Sequence, residues 1–156
     1  MDRISWDDYF VKMLDSVSER ATCDRGKSSC IIVRDNQVLS TGYVGSVHGV
    51  EHCDEVGHLF IKNYKKDGTF SQHCIRTVHA EQNAVAHAAK KGISLNLGTA
   101  YITMEPCFSC AKLLIQSGIL RIVCVNKYHD SENTRLLMKQ KKIDYVVLND
   151  KELYND

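Results

Sequence analysis

One histidine and two cysteines stand at spacings that suit metal chemistry. A His-x-Glu motif begins at residue 79, and Pro-Cys-x-x-Cys spans residues 106–110. One imidazole nitrogen and two thiolates can hold Zn²⁺ and leave the fourth tetrahedral position to water, as catalytic zinc sites do. Cys107 and Cys110 are three residues apart, so they face the same way on a helix. The sequence therefore predicts a zinc ion held by His79, Cys107 and Cys110.

Two helix starts must position these groups. Pro106 suits a first helical position, because its missing N–H would have no partner there, and a helix is predicted over residues 107–116. The positive end of that helix also favours thiolate over thiol. A second helix is predicted over residues 79–91. His79 and Glu81 can converge only around its first turn, which places the pocket over that helix end.

His-x-Glu followed by Pro-Cys-x-x-Cys is typical of zinc-dependent nucleobase deaminases. Zinc lowers the pKa of a bound water, and Glu81, which is not a ligand, would accept the proton and pass it to the ring and the leaving amine. Attack would fall on C4 of cytosine or C6 of adenine. The N–H of Ala80 is placed to hold a carbonyl oxygen of the base. The competing interpretation, a structural zinc knot, would normally need a fourth protein ligand nearby.

A second set of possible metal ligands precedes residue 79. Residues 52–74 are polar and show little periodicity, which predicts an irregular loop, and loops longer than about 12–15 residues are usually functional or disordered. The segment and its upstream neighbour supply a Cys₃His set, a standard closed zinc arrangement. The four proposed ligands are Cys23, Cys53, His58 and Cys74. His52 and His73 are alternatives for the histidine, and a group of surface histidines and buried thiols is the metal-free alternative.

Helices and strands alternate over the rest of the chain. Alternation after residue 79 predicts mainly parallel strands with helices on both faces of a sheet. Helix 131–141 is expected to turn Leu136 and Leu137 inward, and Cys30 and Cys124 are expected in the core. The other predicted elements are a helix over 4–19, a hairpin of strands 30–34 and 38–43, and strands over 99–104, 121–126 and 143–148.

Length and composition predict a single domain over residues 1–156. Charged residues make up 25% and hydrophobic residues 44% of the chain, as in ordinary globular proteins. The net charge of +1 provides no global basic field for a nucleic-acid backbone. No apolar run approaches the roughly 20 residues that span a membrane, and the first residues are too polar for a signal peptide. The seven cysteines then indicate metal ligands and core thiols, and a cytoplasmic protein is expected.

Several stretches together resemble the deoxycytidylate (dCMP) deaminases. The His-x-Glu and Pro-Cys-x-x-Cys core is shared by the whole deaminase superfamily, whereas the three cysteines ahead of residue 79 are more specific to this branch. The resemblance implies a cytidine deaminase-like three-layer α/β/α sandwich with a five-stranded mixed sheet. It also implies a hydrolase that converts dCMP to dUMP and ammonia and feeds thymidylate synthesis. The matching stretches are residues 4–10, 21–25, 42–45, 52–55, 74–84 and 106–112.

The resemblance implies further ligands and an assembly. It implies a second zinc, for which His58 stands where relatives often have cysteine. It also implies a homohexamer that dCTP activates and dTTP inhibits, each with Mg²⁺. Residues matching family contacts to phosphate or sugar are Arg25, Lys27 and Tyr128, and those matching regulatory positions are Gly42, Gly45 and Lys90. Relatives commonly read Gly-Tyr-Asn-Gly at 42–45, where this chain has Val44. The sugar contact is therefore expected to differ, and with it the substrate breadth or the strength of allosteric control.

Two other functions remain open at this point. One is a deaminase of another free nucleotide, such as dCTP or a modified dCMP, or of a base in tRNA. The other is a non-catalytic nucleotide-binding regulator that kept the zinc fold. Glu81 argues against the regulator, because a pure binder has no need of a proton shuttle.

Overall fold

Five helices and nine strands make up the described part of the chain. The computed structural model describes residues 1–152, with side chains through residue 149. The helices are α1 (Trp6–Ser18), α2 (Cys53–Val56), α3 (Ala80–Lys91), α4 (Phe108–Gln116) and α5 (Glu132–Lys141). The strands are β1 (Ser29–Arg34), β2 (Gln37–Tyr43), β3 (Gly45–Ser46), β4 (Phe60–Tyr64), β5 (Phe70–Cys74), β6 (Thr77–Val78), β7 (Thr99–Met104), β8 (Arg121–Lys127) and β9 (Asp144–Glu152).

A mixed five-stranded sheet forms the centre of the molecule, as predicted. Its strand order is β2-β1-β7-β8-β9. β1 pairs antiparallel with both β2 and β7, whereas β7, β8 and β9 are parallel. The β1–β2 hairpin turns at Asp35 and Asn36, whose φ angles of 52° and 59° suit a tight turn between twisted strands. The carboxyl ends of β7 and β8 therefore meet at one edge of the sheet, where open α/β sheets bind ligands.

Alternate strand residues bury opposite faces of the sheet. Phe10 and Leu14 of α1 pack with Ile31 and Val33 on one face. On the other face, helices α3, α4 and α5 cover a larger core that includes Cys30 and Cys124, both fully buried. The three-layer arrangement and the core placement of these two cysteines confirm the predictions. None of the helices within residues 1–152 combines the length and apolarity that crossing a bilayer requires.

Three local predictions were wrong. Residues 52–74 are not irregular, since they form α2 and the β4–β5 hairpin; every residue of β4 is exposed, so no buried face creates the alternation that marks a strand. Of the two leucines predicted to face inward, Leu136 is 54% exposed, whereas Leu137 packs on the core as predicted, next to the buried Met138. Pro106 precedes the helix, because Cys107 is the N-cap of α4.

Candidate active site

His79, Cys107 and Cys110 converge at the starts of two helices. His79 is the N-cap of α3 and Cys107 is the N-cap of α4, and Cys110 lies in the first turn of α4. The short β3–β6 pairing, in which Ser46 faces Thr77, holds the chain just before His79. His79 Nδ1 lies 3.6 Å from Cys107 Sγ and 3.5 Å from Cys110 Sγ. These three residues are called the first cluster.

The first cluster has the dimensions of a zinc site. Bond lengths of about 2.3 Å to sulfur and 2.0–2.1 Å to nitrogen place donor atoms about 3.6 Å apart around a tetrahedral ion. The hydrogen bond with Cys110 lowers the pKa of Cys107 to about 4, and the same bond, together with burial, raises the pKa of Cys110. The two sulfurs thus compete for one proton, and a cation between them favours two thiolates. The donor set therefore fits Zn²⁺ with one coordination position left for water.

Glu81 is beside the first cluster but is not part of it. The three donor atoms of the cluster lie within 4.8 Å of one another, and the Glu81 carboxylate does not belong to that group. Glu81 is 5% exposed. Burial raises the pKa of its carboxyl group, and the charge of His79 opposes that rise. A carboxyl group with a raised pKa is better suited to accept a proton and then return it.

A cleft of about 180 Å³ opens above the first cluster. Ala80, the first residue of α3, contributes to its floor, and its N–H belongs to the first helical turn, where backbone donors have no partner inside the helix. Arg25 and Tyr128 line the walls, whereas the lining does not include Lys27, which is exposed. Strand β5 supplies another wall through Ser71, Gln72 and His73. The structure thus brings Ala80, Glu81, Arg25 and Tyr128 to one cleft and leaves Lys27 outside its lining.

The residues proposed for a second metal also converge. Cys23 Sγ lies 3.8 Å from His58 Nδ1, and Cys53 Sγ lies 3.6 Å from Cys74 Sγ. Cys23, Cys53 and His58 place their donor atoms within 4.8 Å of one another, and Cys74, His52 and His73 are outside that group. Cys74 reaches it through the contact with Cys53. We call Cys23, Cys53, His58 and Cys74 the second cluster.

Protonation and orientation in the second cluster also suit a metal. Burial opposes ionisation of Cys74, but hydrogen bonds from neighbouring backbone N–H groups and from His58 lower its pKa to about 7. Burial and the bond with Cys74 raise the pKa of Cys53 to about 12. The other ring nitrogen of His58, Nε2, lies 3.1 Å from Asp24 Oδ1. A carboxylate on the outer nitrogen is the usual partner of a metal-binding histidine, so the donor set fits a closed Zn²⁺ site.

The three residues with predicted regulatory roles lie in different surroundings. Gly42 packs against α3, where an added Cβ would lie 2.2 Å from the carbonyl oxygen of Ala80. At Gly45 an added Cβ would meet the Thr22 hydroxyl at 2.9 Å. Lys90 is exposed near the C-terminal end of α3, in a groove with His87, and the regulatory roles stay predictions. His87 is on the helix surface, with Nδ1 2.8 Å from the Thr41 carbonyl oxygen.

Sequence reasoning missed two features of this site. One is the β5 wall. The other is Glu105, which is 3% exposed and lines the cleft. Burial opposes its ionisation, but hydrogen bonds from Arg135, Tyr145 and the Tyr128 N–H hold the pKa of Glu105 below its usual value. Its position directly before Pro106, at the end of β7, was the available signal.

Comparison with known proteins identifies related sequences. The family model described as the cytidine and deoxycytidylate deaminase zinc-binding region matches residues 4–126. ComE operon protein 2 of Bacillus subtilis is 35% identical over 140 residues, which cover 90% of this chain and 69% of that protein. The deoxycytidylate deaminase of Mycobacterium phage D29 is 33% identical over 129 residues, 79% of this chain and 96% of that protein. The matches span from 42% to 96% of the curated relatives' own lengths.

A solved structure shares the fold. The crystal structure of the dCMP deaminase from the cyanophage S-TIM5, in complex with dCMP and dUMP, superposes with a TM-score of 0.71. The match covers 94% of this chain and 98% of the phage chain at 23% sequence identity. At that identity the likeness establishes the cytidine deaminase-like fold and no more.

Proposed function

This chain belongs to the cytidine and deoxycytidylate deaminase family, and we propose that it hydrolyses dCMP to dUMP and ammonia. The observation that carries the proposal is the meeting of the first cluster with the buried Glu81 at the floor of one cleft. A cation at Arg25 and an aromatic hydroxyl at Tyr128 line the same cleft. These groups suit a ligand that joins a base to a single phosphate.

The first cluster, in this proposal, holds the catalytic zinc through His79, Cys107 and Cys110. Zinc bound there would supply an activated water for attack on C4 of cytosine. Glu81 accepts one proton of that water and transfers it to the ring nitrogen N3. It then takes the second proton from the oxygen now bonded to C4 and gives it to the amino group. The bond from C4 to that nitrogen breaks, and ammonia leaves. The N–H of Ala80 donates to the carbonyl oxygen of the base and fixes the ring over the reacting atoms.

Arg25 is the proposed phosphate-binding cation. A guanidinium can make two parallel hydrogen bonds to a phosphate. The guanidinium carbon of Arg25 (Cζ) lies 5.1 Å from the centroid of the Phe60 ring in the β4–β5 hairpin. At this distance a cation is attracted to an aromatic face. Tyr128 is proposed to contact the sugar or phosphate. Lys27, outside the cleft lining, is the weaker candidate for the same role.

The second cluster is proposed to hold a structural zinc. Its four donors leave no position for water, and they tie the start of α2 and the end of β5 to the loop that carries Arg25. This arrangement supports a role in holding the cleft wall. Metal analysis of the purified protein tests it: two zinc ions per chain are expected, and one ion, retained in Cys53→Ala, contradicts it.

Regulation and assembly are proposed on the family resemblance. They comprise activation by dCTP, inhibition by dTTP, Mg²⁺ with either effector, a homohexamer, and a place in thymidylate supply. None of the seven cysteines is in a disulfide, which supports a reducing compartment such as the cytoplasm. Ammonia release measured with dCTP or dTTP present, together with the molecular mass in solution, tests the regulation and the assembly.

The deciding experiment compares substrates. Ammonia release is measured on dCMP, dCTP, deoxycytidine and tRNA with the zinc-loaded protein. Fastest turnover of dCMP is expected, because the cleft offers one cationic side chain in a chain of net charge +1. Fastest turnover of tRNA would contradict the mononucleotide assignment. Nucleotide binding without ammonia release from any of them would favour the non-catalytic regulator.

A further inference from the structure

A buried carboxylate joins the segment that carries the zinc ligands to a wall of the cleft. Glu105 has no exposed side-chain surface in its pair with Arg135. Arg135 donates from Nε to Oε2 at 2.9 Å and from a terminal nitrogen to Oε1 at 2.6 Å. The Tyr145 hydroxyl donates to Oε2 at 2.6 Å, and the backbone N–H of Tyr128 donates to Oε1 at 3.2 Å. One side chain thus contacts residues from β9, α5 and the segment that follows β8.

Glu105 stands between the two halves of the proposed site. It follows β7 and precedes the Pro-Cys-x-x-Cys motif, so Cys107 is two residues away. Its own N–H donates to the Asn126 carbonyl oxygen at 2.9 Å, and the Thr134 hydroxyl donates to the Pro106 carbonyl oxygen at 3.1 Å. Residues 128–131 are here called the β8–α5 loop. Tyr128 and His129 of this loop line the cleft. The Glu105 carboxylate is one of the contacts that fix this loop to the zinc-ligand segment, through the Tyr128 N–H.

We propose that Glu105 is a positioning residue that sets the distance between the zinc-ligand segment and the Tyr128 wall of the cleft. The inference rests on the proposed function for what the cleft binds. Charged hydrogen bonds in a buried site hold geometry more tightly than neutral ones. With the carboxylate in place, the sugar and phosphate end of a nucleotide is held at a fixed distance from the reacting ring. Without it, the wall moves while the zinc ligands stay.

A matched network at the other side of the sheet serves as the control. Asp7 accepts from the Tyr101 hydroxyl at 2.7 Å and from both terminal nitrogens of Arg121 at 2.7 Å. It therefore has the same chemistry as Glu105: one carboxylate, one arginine and one tyrosine. Asp7 belongs to α1, which covers the face of the sheet opposite the zinc-ligand helices, and it does not line the cleft. Loss of this network is expected to affect stability and not ligand binding.

The test compares Glu105→Gln with Asp7→Asn in the zinc-loaded protein. Glutamine keeps the shape of Glu105 but replaces one acceptor oxygen with an NH₂ group. Because a hydrogen bond to a charged group is lost, the Kd for dUMP and the KM for dCMP are expected to rise about tenfold. The value of kcat and the zinc content are expected to stay near those of the wild type. Amide exchange in the β8–α5 loop is expected to become faster, and Asp7→Asn is expected to change none of these.

A milder variant covers the case in which Glu105→Gln fails to fold. Tyr145→Phe removes one donor to Oε2 and keeps the ring, so a rise of about threefold in the Kd for dUMP is expected. The proposal is overturned if amide exchange in the β8–α5 loop is unchanged in the variants. It is also overturned if that exchange becomes faster while the affinity for dUMP stays the same. Loss of zinc on Glu105→Gln also overturns it, because Glu105 would then act through the metal ligands. A wild-type protein that neither binds dUMP nor releases ammonia from dCMP contradicts the proposed function instead, and the exchange comparison still decides whether Glu105 holds the loop.

Discussion

Two helix starts supply the three donors of the first cluster, whereas the four donors of the second cluster come from a loop, a short helix and a hairpin strand. The first cluster lies on the larger core, which fixes α3 and α4 against the sheet. Cys23 and Cys53 of the second cluster form a small core with Val44, next to strands whose residues are largely exposed. Similar Cys and His donors are therefore held by a well-packed core at the first cluster and by little packing at the second cluster.

The contrast indicates what a bound metal would contribute at each cluster. At the first cluster the packed helices already hold the donors, so an ion there would supply chemistry. The proposed proton-shuttle role of Glu81 requires a water molecule on that ion. At the second cluster a two-stranded hairpin has little core of its own, and such hairpins are marginal alone. Its ion would add structure. Four experiments separate these two roles, and a fifth tests the Asp7 ion pair on the opposite face of the sheet.

Removal of a donor from the first cluster has the largest expected effect on activity. Cys110→Ala should release the catalytic zinc and bring ammonia release from dCMP to background, since zinc lowers the pKa of water from about 15.7 to about 7. The second zinc should remain, so metal content should fall by half. Retained turnover in this variant would contradict the assignment of the first cluster.

Loss of the proton shuttle should reduce turnover without loss of metal. Glu81→Gln keeps the shape of the side chain but cannot accept a proton, and kcat should fall by about 10²- to 10⁴-fold. Both zinc ions and dUMP affinity should be retained. The exposed carboxylate Glu51, changed to Gln, is the control, with unaltered kcat expected.

A break in the second cluster should affect stability first. Cys53→Ala should release the structural zinc and lower the free energy of unfolding by about 3 kcal/mol. That is the stabilisation expected from a ligand whose free concentration is about 100 times its Kd. Chemical denaturation measures this change. Amide exchange should become faster over residues 53–74 and stay slow in α3. Equally faster exchange in both regions would contradict the claim that the core supports the first cluster better than the second.

The outer contact of the second cluster should tune its metal affinity. Asp24→Asn removes the charge that faces His58 Nε2, and loss of such a partner typically weakens metal binding about 10- to 100-fold. In competition with a chelator, the zinc of the second cluster should be removed more readily than in the wild type. The affinity of the first cluster for zinc should be unchanged. Weakened binding of the catalytic zinc would instead indicate that the two sites are coupled.

Acid titration at the opposite side of the sheet gives the smallest effect. Hydrogen bonds from Arg121 and Tyr101 outweigh burial and lower the pKa of Asp7. Its stabilisation is therefore complete above the unfolded-state pKa of about 3.9 and is lost as pH falls through the lower folded-state value. Because the pair is partly exposed, Asp7→Asn should cost about 1 kcal/mol or less at neutral pH. The gap between the wild-type and variant unfolding free energies should narrow in acid, and a gap that does not depend on pH would contradict the ion pair.

The elements around the first cluster could be predicted to within one or two residues, because periodicity, caps and breakers are local signals. Gly92 has a φ of 66° directly after α3, where a helix C-terminus favours glycine. The β4–β5 hairpin could not be predicted in this way, since its residues bury no continuous face. Leu136 was placed inward because helical periodicity does not tell which of two adjacent leucines faces the core.

The amino-acid sequence alone predicts the first-cluster donors and Glu81 with their local spacing, because His79 and Glu81 lie at one helix start and Cys107 and Cys110 at another. It also predicts the alternation of strands and helices after residue 79. Packing in three dimensions is needed to know that Arg25 lines the cleft and Lys27 does not, that His58 faces Cys23, and that Glu105 meets Tyr128, Arg135 and Tyr145. Those contacts join residues 23 to 40 positions apart, so they exist only where packing of the sheet and its helices brings distant segments together, and no local pattern encodes them.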